Sequence, residues 1–184
     1  VSFALLPTSP GAGDRDVRYT PRGPIDALLA SDPPPRGGYV LDPAAGDGAI
    51  LRVLVEAGYQ VAAHEIREEE RAGLLAITSH VTIGDWLSPR RAYEKPAAIV
   101  ANPPFSIARE FAASALECCE WVAFLLRLNT LGSRPWRQFW SEHPPTALRP
   151  IVRPSFTGDG RTDASEYLWV IWDDSDHPIN MRPI

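Results

Sequence analysis

The sequence predicts an α/β fold: an open, mostly parallel sheet of seven strands that closes in a C-terminal antiparallel hairpin. Three observations predict it. Short apolar runs alternate with stretches of helical periodicity along most of the chain, the pattern of strand–helix–strand units. The early apolar runs stop abruptly at acidic residues, glycines or prolines. The last two runs, "LRPIVRPSF" and "EYLWVIWD", are joined by the loop "TGDGRTDAS" with no helix between them, so they pair antiparallel at one edge.

The elements follow in order. Residues 1–17 are rich in Pro and Gly, lack a basic leader, and read as a flexible tail rather than a signal peptide. Residues 18–184 read as one domain. Pro24 suits a first helical turn, with Ile25, Leu28 and Leu29 at helical spacing, and "DPPPRGG" breaks that helix. "YVLD" is the first strand, and "AILRVLVEAG" a helix stopped by its glycine. "YQVAAHEI" is the second strand and "REEERAGLLA" a helix with a charged face. "HVTIGDWL" and "AAIVANPPF" are the third and fourth strands. "SIAREFAASALECC" is a helix, "WVAFLLRL" the fifth strand, and "SRPWRQFWSEH" a short helix before the hairpin.

Composition narrows the class. Hydrophobic residues at 45% and charged residues at 22% are those of a soluble globular protein with a real core. No apolar run approaches the roughly 20 residues of a membrane span. Cys118 and Cys119 are adjacent, a spacing that suits neither a disulfide nor a metal site, which fits a reducing, cytoplasmic setting. His64, His80, His143 and His177 show no ligand spacing, so no metal is expected. The net charge of −5 does not announce a nucleic-acid binder. Yet residues 127–161 hold six arginines against Glu142 and Asp159, a net of +4 that leaves −9 for the remainder. A local basic face and an ordinary solvated scatter of arginines both fit.

In open parallel sheets, ligands bind beyond the carboxyl ends of the strands. The first strand ends in "LDPAAGDG", where Gly46 and Gly48 permit a tight turn and close backbone approach. The spacing is not that of a dinucleotide fingerprint, which sets aside a nicotinamide dehydrogenase. Asp42 and Asp47 would repel phosphate and suit a ligand with an ammonium end. The second strand ends in Glu65 and Ile66. Glu65 lies 23 residues after Asp42, near the offset at which an acid meets ribose hydroxyls; a surface glutamate is the plain alternative. The third ends in Asp85 and Trp86, suited to an exocyclic amine and a planar ring, or else to a turn and a core. The fourth ends in "NPPF", two prolines that cannot continue a ladder and so display an amide and a ring on a rigid turn.

"DPAAGDG" followed by "NPPF" resembles the signature pair of the S-adenosylmethionine-dependent amino methyltransferases, above all those acting on N6 of adenine in DNA. Asp42, Pro43, Gly46 and Gly48 match the first motif, with Ala44 inside it; Asn102, Pro103, Pro104 and Phe105 match the second. "YTP", Tyr19, Thr20 and Pro21, resembles the family's N-terminal cofactor motif. That motif order looks like the gamma arrangement, and "RPSFTGDGRTDASEYLWVIWD" looks like the end of small phage-encoded adenine methyltransferases. The resemblance covers residues 18–173. It implies a Rossmann-like class I methyltransferase fold with S-adenosyl-L-methionine as cofactor, in a bacterial cell or phage-infected host. It also implies that Tyr19, Thr20 and Pro21 touch the methionine end of the cofactor, and that Glu65 and Ile66, then Asp85 and Trp86, hold its ribose and adenine.

The chemistry suits those residues. Adenine N6 is a poor nucleophile because its lone pair is delocalised into the ring. Acceptors at the Asn102 side-chain oxygen and the Pro103 carbonyl would draw on its N–H groups and free that pair, held in advance by the prolines, while Phe105 stacks on the base. The resemblance also implies that Asn102 borders the cofactor. The target base must be flipped out or single-stranded. Ser155 and Phe156 are expected to line the target pocket, with core packing the alternative for Phe156, and Arg134 and Arg153 to meet DNA. Trp136 and Trp140 suit either base stacking or a buried helix face, whereas Trp121, Trp169 and Trp172 suit core. No insertion is long enough for a separate target-recognition domain. Specificity would then come from the 134–161 segment, be low, or rest on a partner such as a second copy of the chain or a recognition subunit. Cytosine N4, guanine N2 of RNA, a protein glutamine, or a non-catalytic subunit remain open alternatives.

Overall fold

The computed structural model describes residues 20–88, 95–156, 164–174 and 179–182. Tyr19, the tail before it, and residues 157–163 of the hairpin loop lie outside them. Helix α1 (Arg22–Ser31) packs Ile25 and Leu28 inward. Strand β1 (Tyr39–Asp42) leads into α2 (Ala49–Glu56), whose apolar stripe buries Ile50, Leu51, Val53 and Leu54. Strand β2 (Gln60–Glu65) is followed by a 3-10 turn at Glu68–Glu70, and then by α3 (Arg71–Leu75), where sequence periodicity predicts one longer helix. Strands β3 (Val81–Ile83) and β4 (Ala98–Ala101) precede α4 (Ala108–Leu116), and β5 (Val122–Arg127) precedes α5 (Arg137–Glu142). Strands β6 (Ala147–Ile151) and β7 (Tyr167–Trp172) form the expected antiparallel hairpin.

The strand order is β3-β2-β1-β4-β5-β7-β6-β8. The first five strands in this order run parallel, and β7 opposes both its neighbours. All seven predicted strands are present. The two-residue β8 (Asn180–Met181) adds an edge beside β6 that no periodicity could reveal at that length. The sheet divides the core into two layers. Leu125 packs with α1 and α2 residues on one face, and Phe124 with α4 and α5 residues on the other.

Two polar ties fix α1 to the sheet. Arg149 on β6 is 3% exposed and donates from Nε and Nη2 to the two carboxylate oxygens of Asp32, each at 2.7 Å. The buried Trp169 indole on β7 donates to the Pro24 carbonyl at 2.8 Å. Residue 20, just before α1, is thereby held over the sheet.

Candidate functional site

The carboxyl ends of β1 to β5 form one rim. Strand β1 ends in Asp42, 1% exposed, whose Oδ1 accepts the Ala44 N–H at 3.0 Å. Its Oδ2 is buried with no hydrogen-bond partner among the described residues. Burial pushes the Asp42 carboxyl up to about 8, and the neighbouring Glu65 and Asp47 add to that against the Ala44 amide. The turn that follows needs its glycines. Gly46 and Gly48 have φ of 55° and 83°, and a Cβ on Gly48 would stand 2.3 Å from Ile77 Cδ1.

Glu65, at the end of β2, locks this turn. Its Oε2 accepts the Gly46 N–H at 2.7 Å, and Oε1 accepts Arg67 N and Nε, both at 3.0 Å. A carboxylate has about four lone-pair positions, so these three bonds leave room for one more donor. The adjoining Ile66 is 60% exposed, an apolar side chain on the rim. The end of β3 lies beside it, for the Gly84 N–H donates to the Glu65 carbonyl at 2.9 Å. Asp85 is exposed and accepts the Leu87 N–H at 2.9 Å. Trp86 is placed differently from a ring that covers a ligand. It is 1% exposed, edge-on to His64 at 5.6 Å, and belongs to the α4-side core. The alternative reading of Trp86 as core describes its position.

At the end of β4, Asn102 and Thr20 meet: Asn102 Nδ2 donates to Thr20 Oγ1 at 3.1 Å. Pro21, not Thr20, occupies the α1 N-cap position, and no side chain caps the helix there. Pro43 and Pro103 are buried, and Pro104 is half-buried. Phe105 lies 5.7 Å from the Tyr167 ring and Phe156 lies 5.1 Å from it, so the three rings form one aromatic cluster. Ser155 Oγ is buried without a hydrogen-bond partner among the described residues.

Sequence reasoning missed Arg127, at the end of β5. Its guanidinium carbon stands 4.4 Å above the Phe105 ring, and its Nε is buried with no partner among the described residues. Arg127 and Phe105 line a cavity of about 180 Å³ with Asn129, Thr130, Ser133 and Trp136. The signal was available: "LLRLNT" turns polar where a strand ends, at the same end of the sheet as "NPPF". Asp42 Oδ2 and Arg127 Nε sit on this rim, at the ends of β1 and β5. A buried polar atom left unsatisfied costs about 1–3 kcal/mol, so each marks a place where a ligand would restore lost bonds.

The basic segment is narrower than composition suggests. Arg149 is spent on Asp32, and the exposed Arg153 pairs with Glu166. Arg134 and Arg137 are exposed beside the cavity. Trp136 and Trp140 stack on each other at 4.7 Å, Trp136 is 7% exposed, and the Trp140 indole donates to the Thr130 carbonyl at 3.0 Å. They form the buried helix face, not an open stacking surface.

The sheet order with its one reversed strand defines the Rossmann-like class I methyltransferase fold. No family model and no curated protein matches the chain. Solved structures do. The chain is similar to a candidate RNA methyltransferase of Pyrococcus horikoshii at 18% identity and a TM-score of 0.65, over 81% of this chain and 80% of that one. It is similar to the modification subunit of a candidate type I restriction enzyme from Vibrio vulnificus YJ016 at 18% identity and a TM-score of 0.68, over 94% of this chain and 48% of that one. The 23S rRNA methyltransferase ErmE matches at 17% identity and a TM-score of 0.62, over 88% of this chain and 70% of that one. At such identities the likeness is one of fold. Among the described residues no helix is long and apolar enough to cross a membrane.

Proposed function

We propose that the chain transfers a methyl group from S-adenosylmethionine to the exocyclic N6 amine of adenine in DNA. The observation that carries the reading is the Asn102-Pro103-Pro104-Phe105 turn at the end of β4, joined through Asn102 to Thr20 and set beside the glycine turn of the adjacent β1.

The residues present fit the cofactor. The orphaned Asp42 Oδ2 suits an ammonium group, the spare Glu65 lone pair a ribose hydroxyl, and Ile66 with Asp85 a purine ring and its amine. Thr20 and Pro21 border the methionine end. When bound, S-adenosylmethionine supplies an electrophilic methyl group on a sulfonium. The chain's own part is positioning. The Asn102 Oδ1 and the Pro103 carbonyl accept the N–H groups of the target amine, drawing its nitrogen toward a tetrahedral state. Both prolines fix the acceptors before substrate arrives, so no reorganisation is needed at the moment of reaction. The Phe105 face carries the base, and Phe156 and Ser155 close the far side of its pocket. Release of the proton afterwards needs no dedicated base, because a methylated arylammonium is strongly acidic.

The test is methyl transfer from labelled S-adenosylmethionine to unmethylated single- and double-stranded DNA and to RNA, followed by nucleoside mass spectrometry. N6-methyladenine from DNA, lost in Asn102→Ala, is the expected result. Label on an RNA base would move the substrate and keep the mechanism. Cofactor binding with no transfer to any nucleic acid would overturn the reading.

A further inference from the structure

Among the described residues, Arg127, Arg134 and Arg137 stand apart from the other arginines. Arg22, Arg52, Arg67, Arg71, Arg109 and Arg153 each pair with a carboxylate, as does the buried Arg149. Arg36 and Arg182 donate to backbone carbonyls. Arg127, Arg134 and Arg137 have side chains with neither kind of partner among the described residues. All three fall in one stretch, from the end of β5 to the start of α5.

Arg127 is the most constrained of them. Its backbone is locked in register with Tyr167 of β7, and its carbonyl accepts the Thr130 hydroxyl at 2.8 Å. Its guanidinium carbon lies over the Phe105 ring at the wall of the 180 Å³ cavity, which Asn129, Thr130 and Ser133 also line. An arginine held at a cavity wall without a counterion is a site for an anion. Contact with Phe105 sets the distance from the reacting base to that anion. In a polynucleotide, the group at a few ångströms from a base and carrying a full negative charge is the phosphodiester of its own or the next nucleotide.

We propose that Arg127 binds a backbone phosphate of the polynucleotide next to the base seated on Phe105, and that Arg134 and Arg137 continue this contact outward along the strand. The proposal rests on the reading of the site as one for nucleic acid. It makes Arg127 a substrate-positioning residue: phosphate held by the guanidinium orients the base over Phe105 and toward Asn102. It also accounts for how a chain with a net charge of −5 could hold DNA, through a short track of unpaired arginines rather than a broad basic face.

The test is fluorescence anisotropy of labelled oligonucleotides, single-stranded and duplex, titrated across a range of salt concentrations. Wild type, Arg127→Gln and Arg127→Lys are compared, each first shown to bind S-adenosylmethionine with wild-type affinity. A phosphate contact predicts that Arg127→Gln weakens binding by about tenfold at low salt. It also predicts a slope of log affinity against log salt shallower by about 0.7 for single strands or about 0.9 for duplex. Arg127→Lys keeps the charge and should keep the slope. Weaker binding by Arg127→Gln with an unchanged slope would overturn the proposal, because Arg127 would then act only by holding Phe105. A lysine variant with the glutamine variant's slope would overturn it as well. Absence of nucleic-acid binding by the wild type would instead overturn the nucleic-acid reading itself, and the two failures are separated by that one control.

Discussion

Asp42 carries a carboxyl that burial pushes up to about 8, and its Oδ2 has no hydrogen-bond partner among the described residues. The raised value has two measurable consequences. A carboxyl raised on folding contributes stability that is full below its unfolded value, near 3.8, and is lost as pH climbs through 8. Asp42→Asn should therefore flatten the loss of stability between those limits, read by denaturant unfolding across pH. An ammonium beside Asp42 would favour the ionised form, so cofactor binding at pH 6–7 should release close to one proton. Calorimetry in buffers of different ionisation enthalpy measures it, and equal heats in all buffers would remove Asp42 from the cofactor site. On the proposed reading, Asn102→Ala removes one of two acceptors for the target amine. Loss of one preorganised transition-state contact of this kind costs about 10²–10³ in rate. Single-turnover transfer should fall by that order, with cofactor affinity within a few-fold of wild type. At this scale the sequence was legible where chemistry requires a residue type at a turn, as at Gly48 or Pro103. It was illegible where packing decides. Trp86 and Asp85 are neighbours after one strand, and only the sheet shows that one faces the core and the other solvent. Arg127 acquires its character from Phe105, 22 residues earlier in the chain, which no local pattern encodes.

At the scale of elements, what matters is that Thr20 reaches Asn102, and α1 must be anchored for that. The Asp32–Arg149 pair anchors its end. Burial alone would raise the Asp32 carboxyl, but the Arg149 and Ser31 bonds outweigh it and hold it below the ordinary value. A carboxyl lowered on folding contributes stability that is present above its unfolded value and lost as pH falls through the folded one. The pair should thus protect the fold at neutral pH and fail in acid, below about pH 4. Arg149→Ala strands Asp32 in a half-buried site and should cost about 3–5 kcal/mol at pH 7, whereas Asp32→Leu combined with Arg149→Met should recover most of it. Urea midpoints of the two variants decide this, and equal losses would mean the pair's electrostatics are not what anchors α1. Element identity was legible because apolar periodicity is dense in β5, α2 and α4. The 3-10 turn before α3 was not: "EEE" carries no buried residue to set a period. Nor was β8, whose two residues are strand only because β6 offers them an edge.

The whole molecule is two core layers sharing one sheet, and β5 runs through the middle of both. Leu125 faces the α1–α2 layer and Phe124 the α4–α5 layer, each fully buried. The fold class was legible at this scale because the order of strands and helices dictates a doubly covered parallel sheet. The single-domain organisation expected from length and from the absence of a long insertion leads to a test. If the layers fold as one unit, Leu125→Ala and Phe124→Ala should each cost about 3 kcal/mol and lower the melting temperature by roughly 6–12 °C, in one transition. Tryptophan reports on both sides, for Trp169 belongs to the first layer while Trp136 and Trp172 belong to the second. Far-ultraviolet dichroism and tryptophan fluorescence should therefore coincide for either variant. Two separated transitions would mean that the α1–α2 layer opens by itself. That outcome would change the view of the site as well, because Phe105 packs against the α1–α2 layer, while Trp136, which lines the same cavity, packs in the other.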